Sequence, residues 1–212
     1  MKHLDSIIFD LDGTLWDSTD GLLIAWNKVL DEYDEVVKKF SKEDIEAYMG
    51  TPITEIFDDF LNYIDSITRR KIEKDCNKSQ MEYLKVHGGK LFPGLEKLLE
   101  EISKNYKLFI VSNCQDGYIE TFMKFYAFED YFMDFEHPGR TGLSKGENIK
   151  LIMKQNDLKN SIYIGDTKGD GQAARYAAIP FVYASYGFGD TNDYDYSIDK
   201  LEELSTIIKS LE

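Results

Sequence analysis

The chain has 212 residues, 42% of them hydrophobic, with two cysteines and a formal net charge of −14. That is enough apolar material for one large domain or for a core with a modest insertion, whereas Cys76 and Cys114 supply neither a zinc-ligand cluster nor a disulfide framework. The acidic balance repels nucleic acid at long range, acidic residues interrupt the N-terminal MKHLDSIIFDLDGT too early for a signal peptide, and no run is apolar enough to span a bilayer. A cytoplasmic location is therefore expected, with neither nucleic acid nor a membrane as partner.

Residues 4–9 form a β-branched and aromatic run that reads as a strand, ended by DLDGT, where Gly13 gives the backbone its freedom. From about Asp17 to His87 the apolar spacing turns helical, as in Leu22, Trp26, Val29, Leu30 and Tyr33, with a capping box over Ser41 to Asp44. Gly50, Thr51 and Pro52 break this block into hairpins of about four helices, and Trp26, Tyr48 and Phe57 are expected in its core. His87 reads as a surface or hinge residue, and Gly88–Gly89 as the hinge itself.

Beyond that pair, helices and strands alternate: helix 94–104, strand 106–111, helix 117–126, strand 131–135, helix 146–155, strand 161–165, helix 168–177, strand 180–184 and helix 200–210. Alternation of this kind predicts a parallel sheet covered on both faces. The first strand must join that sheet, or its backbone would remain unpaired. The expected class is α/β, a Rossmann-like parallel-sheet core of residues 1–15 and 89–212 with an α-helical cap domain of residues 16–88 inserted into it.

Ligands of such sheets gather at the carboxyl ends of the strands. There the chain places Asp10, Asp12, Gly13 and Thr14 after the first strand, Ser112 and Asn113 after the second, Lys145 ahead of a later helix, and GDTKGD with Asp166 and Asp170 after SIYIG. Asp170 falls one helical turn beyond Asp166, on the same face.

This ordered set resembles the four motifs of the haloacid dehalogenase superfamily, and the helical block resembles that family's C1 cap. The resemblance implies Asp10 as a nucleophile that forms an aspartyl-phosphate and Asp12 as general acid and base. It implies Ser112, Asn113 and Lys145 as holders of the phosphoryl oxygens, with Thr14 beside them and Gly50 and Thr51 facing the substrate from the cap. Mg²⁺ would be held by Asp10, Asp12 through its backbone carbonyl and Asp166, with Asp170 placed to bind the metal, a metal-bound water or Lys145. Since a chain of charge −14 would otherwise repel an anionic substrate, a bound cation and a lysine are what the chemistry needs.

A small phosphorylated metabolite is the implied substrate, and the YASYGFG stretch resembles a loop of phosphoglycolate phosphatases. Asp12 argues against haloacid dehalogenation, because a halide leaves without a proton. Lys28 and Lys42 read as solvated helix lysines rather than Schiff-base formers for phosphonate cleavage. A sugar-phosphate mutase resembling β-phosphoglucomutase shares the cap class, metal and aspartate pair and is the alternative; a non-catalytic binding module fits less well, since all four motif carboxylates are present. Lys145–Gly146 stands where the family often has Lys-Pro, with Ser144 placed to cap the helix that follows. The sequence leaves monomer and homodimer open.

Overall fold

A computed structural model describes residues 4–211. The chain begins with β1 (Ser6–Phe9) and β2 (Trp16–Asp17), followed by four helices, α1 (Thr19–Leu30), α2 (Lys42–Ala47), α3 (Ile53–Phe60) and α4 (Ser66–His87). It continues through β3 (Lys90–Leu91), α5 (Leu95–Ile102), β4 (Lys107–Val111), α6 (Tyr118–Tyr126), β5 (Phe132–Glu136), α7 (Pro138–Thr141) and α8 (Lys145–Gln155). It closes with β6 (Ser161–Gly165), α9 (Lys168–Ala177), β7 (Phe181–Ala184), β8 (Tyr196–Ile198) and α10 (Leu204–Leu211), the last preceded by a 3-10 turn at Leu201–Glu203. No helix among the described residues is long and apolar enough to cross a membrane.

Six strands form one sheet in the order β5-β4-β1-β6-β7-β8, with every neighbouring pair parallel. The strand period of two sends alternate side chains to opposite faces. Ile7, Phe9, Ile110 and Ile164 pack on one face with Leu99, Phe122 and Ile208 of α5, α6 and α10. Ile8, Phe109, Tyr163 and Phe181 pack on the other with Ile149, Ile152 and Ala174 of α8 and α9. Each fully buried side chain of this size contributes about 1.5–3 kcal/mol, and both faces are filled, as a parallel sheet requires. The chain leaves β1 toward β4 and β5, then crosses back to β6, so the order reverses between β1 and β6. That is the switch point at which open α/β sheets bind ligands.

The helical insertion packs around an aromatic cluster: Trp26 lies 5.2 Å from both Phe40 and Phe57, and Phe40 stacks on Phe60 at 3.6 Å. Trp26 and Phe57 are buried there as expected, whereas Tyr48 is half-buried, its hydroxyl on Asp59 at the surface. The capping box of α2 forms as read, Ser41 accepting from the Asp44 amide and Asp44 from the Ser41 amide. His87 lies exposed with its ring 4.4 Å from that of Tyr83.

Some details depart from the sequence reading, which also lacks the short α7 and the edge strand β8. β1 starts at Ser6 rather than residue 4, α1 starts at Thr19, and the last helix divides into the 3-10 turn and α10. The two connections between insertion and sheet also pair as an antiparallel ribbon, Trp16 with Leu91 and Asp17 with Lys90. Trp16 anchors it, buried with its ring 5.6 and 5.1 Å from those of Tyr118 and Phe122. Gly88 has φ +65° and no room for a side chain, since a Cβ would overlap the Phe125 ring. The expected hinge thus has a left-handed turn at its edge and a tryptophan clamp at its centre.

Candidate active site

Asp10 follows β1 directly, and its amide donates to the Ile164 carbonyl at 2.8 Å, so the sheet itself fixes this residue beside β6. Asp166 follows β6, and Asp170 sits in the first turn of α9 in a capping box with Thr167. Carboxylate oxygens of Asp10, Asp166 and Asp170 lie within 4.8 Å of one another, all three residues buried. Lys145, 6% exposed, is the countercharge: its Nζ is 3.0 Å from Asp10 Oδ1 and 2.7 Å from Asp170 Oδ1.

Electrostatics follow from burial. Loss of water pushes the Asp10 carboxyl up to about 7, the Asp170 charge adds to this, and Lys145 opposes it. Burial and the same neighbouring carboxylates push Asp166 well above the usual carboxylate range. For Lys145 burial alone would favour the neutral amine, but Asp10 and Asp170 overcome it and hold the ammonium charged. Three carboxylates against one ammonium leave the cluster short of positive charge.

The oxygens still free mark where a cation fits. Asp166 Oδ2 accepts from the Phe188 amide at 2.7 Å, but its buried Oδ1 receives no hydrogen bond. Asp10 Oδ1 likewise has only the ion-pair contact with Lys145, without hydrogen-bond alignment. Asp170 is fully engaged: Oδ1 accepts from Lys145 and, at 3.3 Å, from the Tyr163 hydroxyl, while Oδ2 accepts from the Thr167 amide at 2.9 Å and its hydroxyl at 2.6 Å. The free donors are all oxygen, the set a hard divalent cation takes. Gly13 closes the cradle, since any side chain there would overlap the Asp166 carboxylate.

Asp12 turns away from this cluster. Its Oδ1 accepts from Ser18 Oγ at 2.6 Å and from the Tyr118 hydroxyl at 2.9 Å, and burial pushes its carboxyl up to about 6 against these two hydrogen bonds. Asp10 and Asp12 nevertheless share the wall of one cavity of about 40 Å³ with Ser112 and Asn113 from the sheet and Gly50 and Thr51 from the insertion. Ser112 lines the wall beside Asp10, and the Asn113 side chain donates to the Gly50 carbonyl at 2.9 Å, bridging sheet and insertion. Thr14 is not brought to that wall; it is sealed beneath Tyr186, whose hydroxyl donates to its carbonyl at 2.9 Å.

The sequence reading missed Ser18 and Tyr118, 100 residues apart and hydrogen-bonded to each other at 2.8 Å, the Phe188 amide, and Gln80, buried in the same wall. For Gln80 there was a signal, an amide at four-residue spacing in an apolar stripe. Trp26 and Tyr48, expected as insertion core, also line the cavity.

A parallel α/β sheet with paired carboxylates at its switch point, closed over by an inserted helical unit, is the frame of an enzyme that works on a small ligand. The family model described as haloacid dehalogenase-like hydrolase matches residues 7–184, and the chain belongs to that family. A phosphoglycolate phosphatase of Photorhabdus laumondii is 25% identical over 202 residues, covering 89% of this chain and 83% of its own. Among solved structures, a haloacid dehalogenase-like hydrolase of Streptococcus pneumoniae is 27% identical with a TM-score of 0.81, covering 98% of this chain and all of its own. A β-phosphoglucomutase of Clostridium difficile shares the fold at a TM-score of 0.76 and 19% identity, covering 98% of each chain.

Proposed function

We propose that the protein is a Mg²⁺-dependent phosphatase that hydrolyses a small phosphate monoester, of the phosphoglycolate type, through an aspartyl-phosphate on Asp10. The observation that carries the reading is the contrast between two aspartates two residues apart. Asp10 stands among carboxylates beside a lysine, and Asp12 sits apart with a carboxyl raised to about 6 by burial. One can take the phosphoryl group while the other handles protons. The relative from Photorhabdus laumondii, named for phosphoglycolate, supports the substrate class.

In this reading the Asp10 carboxylate attacks phosphorus as the bond to the leaving oxygen breaks, and Asp12 gives that oxygen a proton. Asp12 then takes a proton from the water that attacks the phosphoryl group and frees Asp10. Ser112, the Asn113 amide and Lys145 hold the remaining phosphoryl oxygens. Asp170, bound by four donors, positions Lys145 between itself and Asp10. When bound by Asp10, the Asp12 carbonyl and Asp166, Mg²⁺ would offset the repulsion between Asp10 and the phosphoryl group. Residues 16–88 act as a cap moving about the ribbon, and Gly50 and Thr51 meet the substrate as it closes.

Replacing Asp12 by Ala is expected to lower turnover by a factor on the order of 10²–10⁴ with metal affinity unchanged, since its side chain lies outside the cluster. A variant near the wild-type rate would remove the acid/base role. Metal binding should also be readable as stability. Asp10 holds its proton more tightly folded, at about 7, than at the ordinary 3.8, so through this group the metal-free fold loses stability as pH rises from about 4 to about 7. A divalent ion replaces that proton, so Mg²⁺ is expected to raise Tm more at about pH 8 than at about pH 5. Equal shifts at both values in a thermal titration would place the ion elsewhere.

The test of the function is phosphate release from 2-phosphoglycolate, sugar phosphates, nucleotides and pyrophosphate, with Mg²⁺ or with chelator. Metal-dependent release from a small monoester is expected. Isomerisation of a hexose 1-phosphate without release would replace the phosphatase by the mutase.

A further inference from the structure

The buried stripe of α4 recurs every fourth residue as Ile72, Cys76, Gln80 and Leu84. Three of these suit an apolar interface; the fourth is a primary amide, 3% exposed, and amides are buried at a cost unless they are hydrogen-bonded. Half of it is bonded. The Trp26 Nε1–H, a donor only, takes Oε1 at 2.7 Å, which fixes the flip of the amide and directs its NH₂ the other way. That NH₂ has no acceptor among the described residues, and Gln80 belongs to the wall of the cavity shared by Asp10 and Asp12.

The surrounding wall is informative. On the insertion side Leu22, Trp26, Met49, Ile53 and Ile56 stand beside Gln80, Tyr48, Gly50 and Thr51, and the whole lining contains no lysine, arginine or histidine. With phosphorus beside Asp10 and the leaving oxygen beside Asp12, the remainder of the leaving group is directed to the insertion side of the wall, where Gln80 lies. A leaving group with its own carboxylate would lie there stripped of water, near the Asp12 carboxylate and without a countercharge, which buried ions do not tolerate. A neutral group bearing one oxygen would complete the hydrogen bonds of Gln80 without bringing a second charge to Asp12.

We propose that Gln80 is the specificity residue of this site, its Nε2–H donating to an oxygen of the leaving group. The preferred substrates are then phosphate monoesters of small neutral alcohols carrying a second hydroxyl or carbonyl oxygen, and anionic leaving groups such as glycolate are disfavoured. The proposal rests on the phosphatase reading and replaces its phosphoglycolate-type substrate by an uncharged ester of similar size.

The test compares 2-hydroxyethyl phosphate with 2-phosphoglycolate, two esters alike in size and different in charge, as the ratio of kcat/KM within one enzyme preparation. Any loss of folded protein cancels in that ratio. The wild type is expected to favour 2-hydroxyethyl phosphate by about tenfold or more. Gln80→Met, which cannot donate, should shrink the ratio by roughly tenfold, and Gln80→Lys should shift it toward 2-phosphoglycolate by supplying the missing cation. A wild-type preference for 2-phosphoglycolate, or one ratio shared by all three proteins, overturns the proposal and leaves the phosphatase standing. Absence of phosphate release from these and every other ester overturns the phosphatase reading, and this proposal with it.

Discussion

Asp10→Asn is expected to abolish turnover, lowering kcat by a factor on the order of 10³ or more, while making the metal-free protein more stable. The two effects have one origin. An amide keeps the shape of the side chain and the backbone bond from Asp10 to Ile164, but it cannot attack phosphorus and it carries no charge. It therefore removes one of three carboxylates held within 4.8 Å in a buried cluster whose mutual repulsion helps raise Asp10 to about 7. A rise of a few degrees in metal-free Tm is expected, together with a smaller gain on adding Mg²⁺, because one ligand has lost its charge. Steady-state rates beside thermal melts with and without Mg²⁺ check this. A variant that is inactive and markedly less stable would show instead that Asp10 is structural.

Lys145→Ala should have the largest effect of the opposite sign on stability. The ammonium is nearly inaccessible and bridges Asp10 and Asp170, so its removal leaves buried carboxylates with neither water nor a countercharge. Breaking a buried pair in this way costs about 3–5 kcal/mol. The cost depends on pH, because Asp10 can escape it by binding a proton. Denaturant unfolding of the metal-free protein is expected to show the full loss near pH 8 and a reduced one near pH 5.5, below the raised value for Asp10. Turnover should fall by about 10²–10³, the scale of losing one donor to a developing oxyanion. Equal stability of the variant and wild type at both pH values would mean that Lys145 is no countercharge.

Much of this arrangement was legible in the sequence because it is local. Strands and helices of the core announce themselves by period, Ser144 and Thr167 cap their helices as such residues do, and each acidic residue of the cluster directly follows or closely trails a strand. What escaped was short or distant. β2 and β3 are two residues each and β8 is three, too few for any periodicity, and they exist because remote segments pair with them. The hydrogen bond from Tyr118 to Asp12 joins residues 106 apart, and no pattern in either neighbourhood encodes it. The Phe188 donor is a backbone amide, which every residue but proline has.

Asp170 shows how the two levels meet. Its spacing from Asp166 made it a candidate for metal, a bound water or Lys145 alike. In three dimensions its oxygens are taken up by Lys145, Tyr163 and Thr167, which favours the role of aligning the lysine. Thr14, expected at the substrate, instead lies under Tyr186 and outside the cavity wall.

Whether Asp10 takes the phosphoryl group can be read with beryllium fluoride, which adds to an aspartate carboxylate as a mimic of the phosphorylated residue. Binding would be followed as a shift in melting temperature in the presence of Mg²⁺. The wild type is expected to be stabilised in a way that needs Mg²⁺ and is lost in Asp10→Asn. An equal shift in both proteins, or none in a wild type that releases phosphate, would contradict that role of Asp10.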